Sequence, residues 1–318
     1  MKKVIITMDT EGDNLWKWKL GDLITTQNAM YLQRFQDLCN NYSFKPVWLS
    51  NYEMIQDSRF VDFISKVEEK AEGELGMHLH AWNSPPEYKL TNIKQNGAPY
   101  LIEYPTEIME EKIDYLTSLI KARTGIIPTS HRAGRWAMDE RYFYLLIKYG
   151  YTVDCSVTPG INWCNSVGAT PNAVGSDYSE CNTSPYWIQF DDKKILEIPV
   201  TIRKSHKIFL SDKRNLKNIC KSAYYGVKGS YLWLRPQKDN LNQMLELIKK
   251  IEYSKNDDYI MFMLHSSELM PGGSPNFETD LSIENLYKDL EVLFKYLSNR
   301  FEGITLRQYY KDTKDKIN

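Results

Sequence analysis

Short apolar runs alternate along the chain with longer stretches in which hydrophobic residues recur every three to four positions. The apolar runs cover residues 4–8, 46–49, 75–80, 152–154, 195–200 and 259–264, and each predicts a buried strand. Helical spacing is carried by Met109, Ile113, Leu116 and Ile120, with Gly125 as the expected stop. It returns at Leu241, Met244, Leu245 and Ile248, and again at Ile283, Leu286, Leu290, Leu293 and Leu297, with Ser282 as the expected N-cap. Strands that alternate with helices predict a parallel sheet of βα units. Chemistry-bearing residues close several of the runs, over the whole chain, which favours a barrel, because barrel sites collect residues from many strand ends. The expectation is an α/β fold, a distorted (β/α) barrel, formed as one catalytic domain by residues 1–318. No internal repeat is evident, and the polar tail from Lys311 is expected to fray.

Two segments break the rhythm, near residues 82–104 and 155–192. Both are rich in Gly, Pro, Asn and Ser, and they carry Trp82, Trp163, Tyr186 and Trp187. Long insertions in a compact domain are usually functional or disordered, and the aromatics make these candidate substrate-shaping loops.

Composition adds limits. The chain has 318 residues, a net charge of -1 and 42% hydrophobic residues, enough for a large core and no field for nucleic acid. Its 22 Tyr and 8 Trp pair apolar faces with polar tips and so suit sugar rings, although a large aromatic core accounts for most of them. The five cysteines, Cys39, Cys155, Cys164, Cys181 and Cys220, form no CxxC pair, so neither a disulfide framework nor a zinc ribbon is indicated. The apolar run behind Lys2 and Lys3 is too short for a signal-peptide core, and no stretch reaches transmembrane length; a cytoplasmic protein without stable membrane insertion is expected.

Three acids at alternate positions, Asp9, Glu11 and Asp13, follow the first run. An EF-hand loop counted from Asp9 fails at Asn14 and Leu20, where Gly and Glu are required. An Asp-x-Glu nucleotide site lacks the upstream region it needs, since eight residues precede Asp9. A metal and base pair at a barrel mouth remains, against a plain solvated loop, and partners must decide. His78 and His80 close another run, and period two sets both imidazoles on one strand face. Two His with a carboxylate is the composition of a catalytic zinc site. His265 closes the most hydrophobic run and suits either general acid–base work or packing. Arg132 follows a run and suits pairing with a carboxylate such as Asp9, Arg135 is a substrate contact or a surface residue, and Asp154 closes a run where an Asp can orient a His.

In this order, "TMDTEGD", "GMHLHAW", "HRAGRW", "DCS" and "LHSSEL" resemble the five motifs of the polysaccharide deacetylase (NodB-homology) family, over roughly residues 3–270. The resemblance implies a distorted (β/α) barrel that removes an N-acetyl group from a sugar, using one divalent metal ion, with zinc expected. It implies Asp9 as catalytic base, His265 as general acid, Arg132 holding Asp9, Asp154 orienting His265, and His78 as a metal ligand. Where the family has a second Asp, this chain has Thr10, and the metal position is assigned to Glu11. Where it has its second His, this chain has Trp82, and His80 is assigned instead. Trp82, Arg135, Trp136, Trp163 and Leu264 are the candidate substrate contacts, with Leu264 and Trp163 lining the acetyl pocket. An acetylated sugar intermediate of surface-polysaccharide synthesis is the expected substrate. Two rivals stand beside this reading: a binuclear amidohydrolase, and a carbohydrate-binding protein on the same scaffold without activity.

Overall fold

A computed structural model describes residues 1–19, 21–93, 98–206 and 229–317. Cys220, and residues 94–97 of the first long segment, lie outside the described residues. The strands are β1 (Lys2–Thr10), β2 (Val47–Ser50), β3 (Glu74–Leu79), β4 (Ser130–Ala133), β5 (Val153–Asp154), β6 (Tyr186–Phe190), β7 (Lys193–Glu197), β8 (Ile202–Ser205), β9 (Ser230–Trp233), β10 (Tyr259–His265) and β11 (Phe301–Gly303). Nine of them form one sheet in the order β10-β1-β2-β3-β4-β5-β7-β6, with β11 beside the start of β1. Every pairing from β10 to β7 is parallel, and β6 returns antiparallel along β7. This is a curled, mostly parallel sheet connected by helices, as the alternating periodicities predict.

Side chains alternate between two apolar layers. Ile5, Val47, Leu49, Val153, Leu196, Met261 and Met263 fill the concave side of the sheet. Val4, Ile6, Met8, Phe262 and Leu264 face the other way, into a layer completed by helix residues such as Met109, Leu116, Leu145 and Leu290. Beyond β7 the open side of the curl is bridged. Met261 N–H donates to the Thr201 hydroxyl at 2.8 Å, and Met263 N–H donates to the Leu234 carbonyl at 3.1 Å.

The expected helices form over Thr106–Thr124, Leu241–Glu252 and Asp280–Ser298. Gly125 does close the first, with a left-handed φ of 75°. The cap of the third differs from expectation. Thr279 is the N-cap, accepting from Ser282 N–H, while the Ser282 hydroxyl accepts from Thr279 N–H at 2.9 Å, so Ser282 is the other half of a capping box. Tyr186 and Trp187 sit in strand β6 at the sheet edge rather than on a loop. The tail is anchored: the helix Leu306–Thr313 includes its first residues, and the Ile317 carbonyl accepts from Trp187 Nε1 at 2.8 Å. Among the described residues, no helix is long and apolar enough to cross a membrane.

Candidate active site

Parallel register aligns the strand ends that carry the chemistry. Asp9 lies opposite His265 in the β1–β10 pair, and His78 lies opposite Arg132 in the β3–β4 pair. All four face the concave side, because their chain neighbours Met8, Leu264, Met77, Leu79 and Ala133 lie in the helix-facing layer. The Arg132 side chain is fully buried, and its Nη1 donates to Asp9 Oδ1 at 2.5 Å. Its Nε donates to the Cys155 carbonyl at 3.1 Å. Burial alone raises the Asp9 carboxyl; Arg132, with His78 and His265, outweighs it and holds Asp9 below its ordinary value. Asp9 is therefore an anion in a dry setting.

Glu11 follows two residues on, directly beyond the end of β1. Its Oε2 lies 3.4 Å from His78 Nε2 and 3.2 Å from His80 Nε2. These three buried residues form a cluster whose ligand atoms all lie within 4.8 Å of one another. His78 Nδ1 donates to the Arg132 carbonyl at 2.9 Å, which turns Nε2 towards Glu11; burial lowers this imidazole, but Asp9 and Glu11 outweigh it and hold it above its ordinary value. Burial, with the neighbouring charges of His78, His265 and Arg135, keeps His80 well below its ordinary value and hence neutral. Neutral imidazoles and a carboxylate are the donors that a zinc-like ion takes. The donor set fits such an ion: His80 and Glu11 converge with His78, while Trp82 stacks on the His80 ring at 4.2 Å. Gly134 makes this approach possible, since a Cβ there would sit 2.3 Å from His80 Cδ2. Beneath Glu11, the buried Glu53 accepts from Gly12 N–H at 2.7 Å and from Asn83 Nδ2 at 2.5 Å, and burial pushes it up to about 7.

His265 completes the arrangement. Its Nε2 stands 3.8 Å from Asp9 Oδ2 and 3.9 Å from Glu11 Oε1. Its Nδ1 faces Glu268 Oε2 at 3.2 Å and Arg235 Nη2 at 3.0 Å. Glu268 is wholly buried; burial raises its carboxyl, but Arg235 and His265 override this and hold it at about 2. Trp16 packs edge-on against the His265 ring at 5.2 Å.

Asp154 does not reach His265. Val153 and Cys155 point into the concave layer, so Asp154 between them points out. There it meets His131 Nδ1 at 2.6 Å, while His131 Nε2 meets the Tyr142 hydroxyl at 2.8 Å. His131, Asp154 and Glu197 thus form one row across β4, β5 and β7, on the far side of the sheet from Asp9. Leu264 is displaced by the same parity: it is fully buried in the helix-facing layer and lines no acetyl pocket.

A cavity of about 410 Å³ opens over the cluster. Asp9, Glu11, His78, His80 and His265 line it, together with the expected Trp82, Arg135, Trp136 and Trp163. Arg135 is committed to the loops: its guanidinium donates to the Ala98 carbonyl, the Tyr100 hydroxyl at 3.0 Å and the Val167 carbonyl at 2.9 Å, tying the two long segments together. Arg135 and Trp136 both hold left-handed backbone, φ 56° and 64°. Trp16, Trp18, Arg235 and Glu268 were not singled out from the sequence. The only signal they carry is chain proximity, Trp16 and Trp18 to the acids and Glu268 to His265, and "WLRPQ" around Arg235 has no recognisable pattern.

No family model and no curated protein matches the chain. Solved structures do. A putative polysaccharide deacetylase from Mycobacterium smegmatis is similar over 100% of this chain and 92% of its own, with 12% identity and a TM-score of 0.56. A putative glycoside hydrolase/deacetylase from Parabacteroides distasonis covers 100% of this chain and 72% of its own, at 13% identity and a TM-score of 0.58. A GH57 branching enzyme from Thermococcus kodakaraensis covers 98% and 71%, at 12% identity and a TM-score of 0.54. The chain has a polysaccharide deacetylase-type fold.

Proposed function

We propose that the chain is a metal-dependent hydrolase that removes an N-acetyl group from a sugar or polysaccharide intermediate, in surface-polysaccharide synthesis. The observation that carries this reading is the convergence, in one cavity, of an arginine-held carboxylate, a three-ligand cluster and a separate imidazole. Amide hydrolysis needs this division of labour. A base must take a proton from water, the carbonyl must be polarised, and an amine leaves poorly unless it is protonated.

Glu11, His78 and His80 would hold one divalent ion, with zinc suited to the donor set. When bound, such an ion polarises the acetyl carbonyl and acidifies water. Asp9, kept anionic by Arg132, accepts the water proton through Oδ2, the oxygen facing His265. His265 gives its Nε2 proton to the leaving nitrogen, and Glu268 holds its Nδ1 side. The aromatic walls shed water and present faces for a pyranose ring. Acetate and the free amino sugar result.

Among the described residues there is a single three-ligand cluster, which supports one ion over the two of an amidohydrolase. A binding protein without activity would not need the Asp9–Arg132 pair. The test is acetate release from N-acetylated sugars by the metal-loaded chain and by Asp9→Asn. Full turnover by Asp9→Asn on a proven substrate would sink the mechanism.

A further inference from the structure

Glu11 stands outside the strand ladder that fixes Asp9. Strand β1 ends at Thr10, its register with β10 ends at Asp9 opposite His265, and its register with β2 ends at Thr10 opposite Ser50. Two side chains take the place of the ladder at Glu11. Ser266 Oγ accepts from Glu11 N–H at 3.1 Å and donates to the Glu11 carbonyl at 3.1 Å. Asn28 Nδ2 donates to the same carbonyl at 2.8 Å and to Ser266 Oγ at 2.8 Å. Asn28 and Ser266 are both fully buried.

Every polar position in this ring is used. The hydroxyl gives its one proton and fills both lone pairs, the carbonyl accepts twice, and the amide uses both of its N–H groups. The Asn28 amide cannot turn round, because the carbonyl it faces only accepts. Its Oδ1 is buried without a hydrogen-bond partner among the described residues, an unfavourable state that follows from keeping the nitrogen on Glu11. The third acid behind β1 supplies the anchor. Asp13 is buried, and its Oδ2 accepts from the N–H groups of Gln27 and Asn28, the latter at 3.3 Å, while its Oδ1 accepts from the Thr25 hydroxyl at 2.5 Å. Asp13 thereby holds the return of the chain, at Asn28, against Glu11. Ser266 arrives from the other direction, as the residue that follows His265. The clamp links the ligand carboxylate to the strand that carries the acid.

We propose that Ser266 and Asn28, with Asp13 behind them, are positioning residues that fix the Glu11 carboxylate for a divalent ion shared with His78 and His80. The inference rests on the metal site of the deacetylase reading, but its readout is ion binding rather than acetate release. Zinc affinity is measured on the full chain by competition with a chromophoric chelator. Ser266→Ala and Asn28→Ala are each expected to weaken it about ten- to a hundredfold, the scale for loss of a ligand's support. Thr7→Val is the control. It removes a hydroxyl that donates to the Phe262 carbonyl at 2.9 Å, equally buried and in the same β1–β10 seam. It should lower the urea midpoint and leave zinc affinity unchanged. In a Glu11→Gln background, Ser266→Ala should change zinc affinity by less than about twofold, because its route to the ion is gone. Asn28→Ala enters from the other side of the clamp and carries the test alone if Ser266→Ala does not fold. Unchanged affinity in both variants, an equal loss in Thr7→Val, a loss that persists undiminished in the Glu11→Gln background, or no zinc binding by the parent chain overturns the clamp. The expected pattern in a chain that releases no acetate keeps the clamp and overturns the deacetylase reading instead.

Discussion

Arg132 Nη1 lies 2.5 Å from Asp9 Oδ1, and both side chains are buried. Removing one partner of such a pair strands the other charge, at a cost of about 3–5 kcal/mol. Asp9→Asn should therefore lower the unfolding free energy by that order and reduce acetate release by about 10²–10⁴-fold. Asp9→Asn combined with Arg132→Met should recover most of the stability and none of the activity. Urea unfolding alongside an acetate assay reads both quantities, and a single Asp9→Asn chain as stable as the parent would contradict the pairing.

Glu268 and Asp154 make a discriminating comparison. Glu268 touches His265, whereas Asp154 touches His131 on the opposite face of the sheet. Glu268→Gln is expected to lower kcat by about ten- to a hundredfold with little change in KM, as for loss of a group that orients an acid. Asp154→Asn should cost stability yet hold kcat within about tenfold of the parent, because its hydrogen-bond partners, His131 and Ser156, do not line the cavity. Reversed effects would return Asp154 to the active site.

Glu268 also gives the acid limb of stability a sign. Its carboxyl is held at about 2 in the fold against an ordinary 4.5. A depressed carboxyl contributes stability that is complete above the unfolded value and is lost as pH falls through the folded one. Unfolding free energy should thus decline from pH 4.5 towards 2, and Glu268→Gln should flatten that decline. Denaturant midpoints measured across this window check the slope.

Metal content is predicted at one divalent ion per chain, removable by chelation together with activity and restored by zinc. Elemental analysis of Glu11→Gln and His80→Ala should show substoichiometric ion. Full occupancy in both variants would move the metal elsewhere.

Gly134→Ala should act on the ion without touching a ligand. The added carbon would meet the His80 ring at 2.3 Å and the Leu79 carbonyl at 2.6 Å, so His80 must shift. A fall in zinc affinity of about tenfold or more is expected, the scale of losses on disturbing a ligand's support. Competition with a chromophoric chelator measures it.

Much of this was legible beforehand because the information was periodic. Continuous apolar runs placed residues 4–8 and 259–264 in strands, and the two-residue alternation of strand side chains put His78 and His80 on one face. The same alternation, applied to β5 and β10, would have turned Asp154 and Leu264 away from the site, but a two-residue strand such as β5 shows no phase of its own. Its phase comes from pairing with β4 and β7, which is non-local. Arg235 enters from a segment after β9 whose position depends on how Leu234 pairs with β10. Glu268 was obscured by local chemistry, since an acid three residues after a strand end reads as a helix cap as readily as a partner for His265.

Five of the chain's 8 tryptophans, Trp16, Trp18, Trp82, Trp136 and Trp163, line the cavity. Trp82 is stacked between Trp18 and the His80 ring. The protein accordingly carries its own optical gauge. Intrinsic emission is concentrated where ligand and ion would arrive, so a change in the colour or intensity of that emission reports on occupancy of the centre without any label.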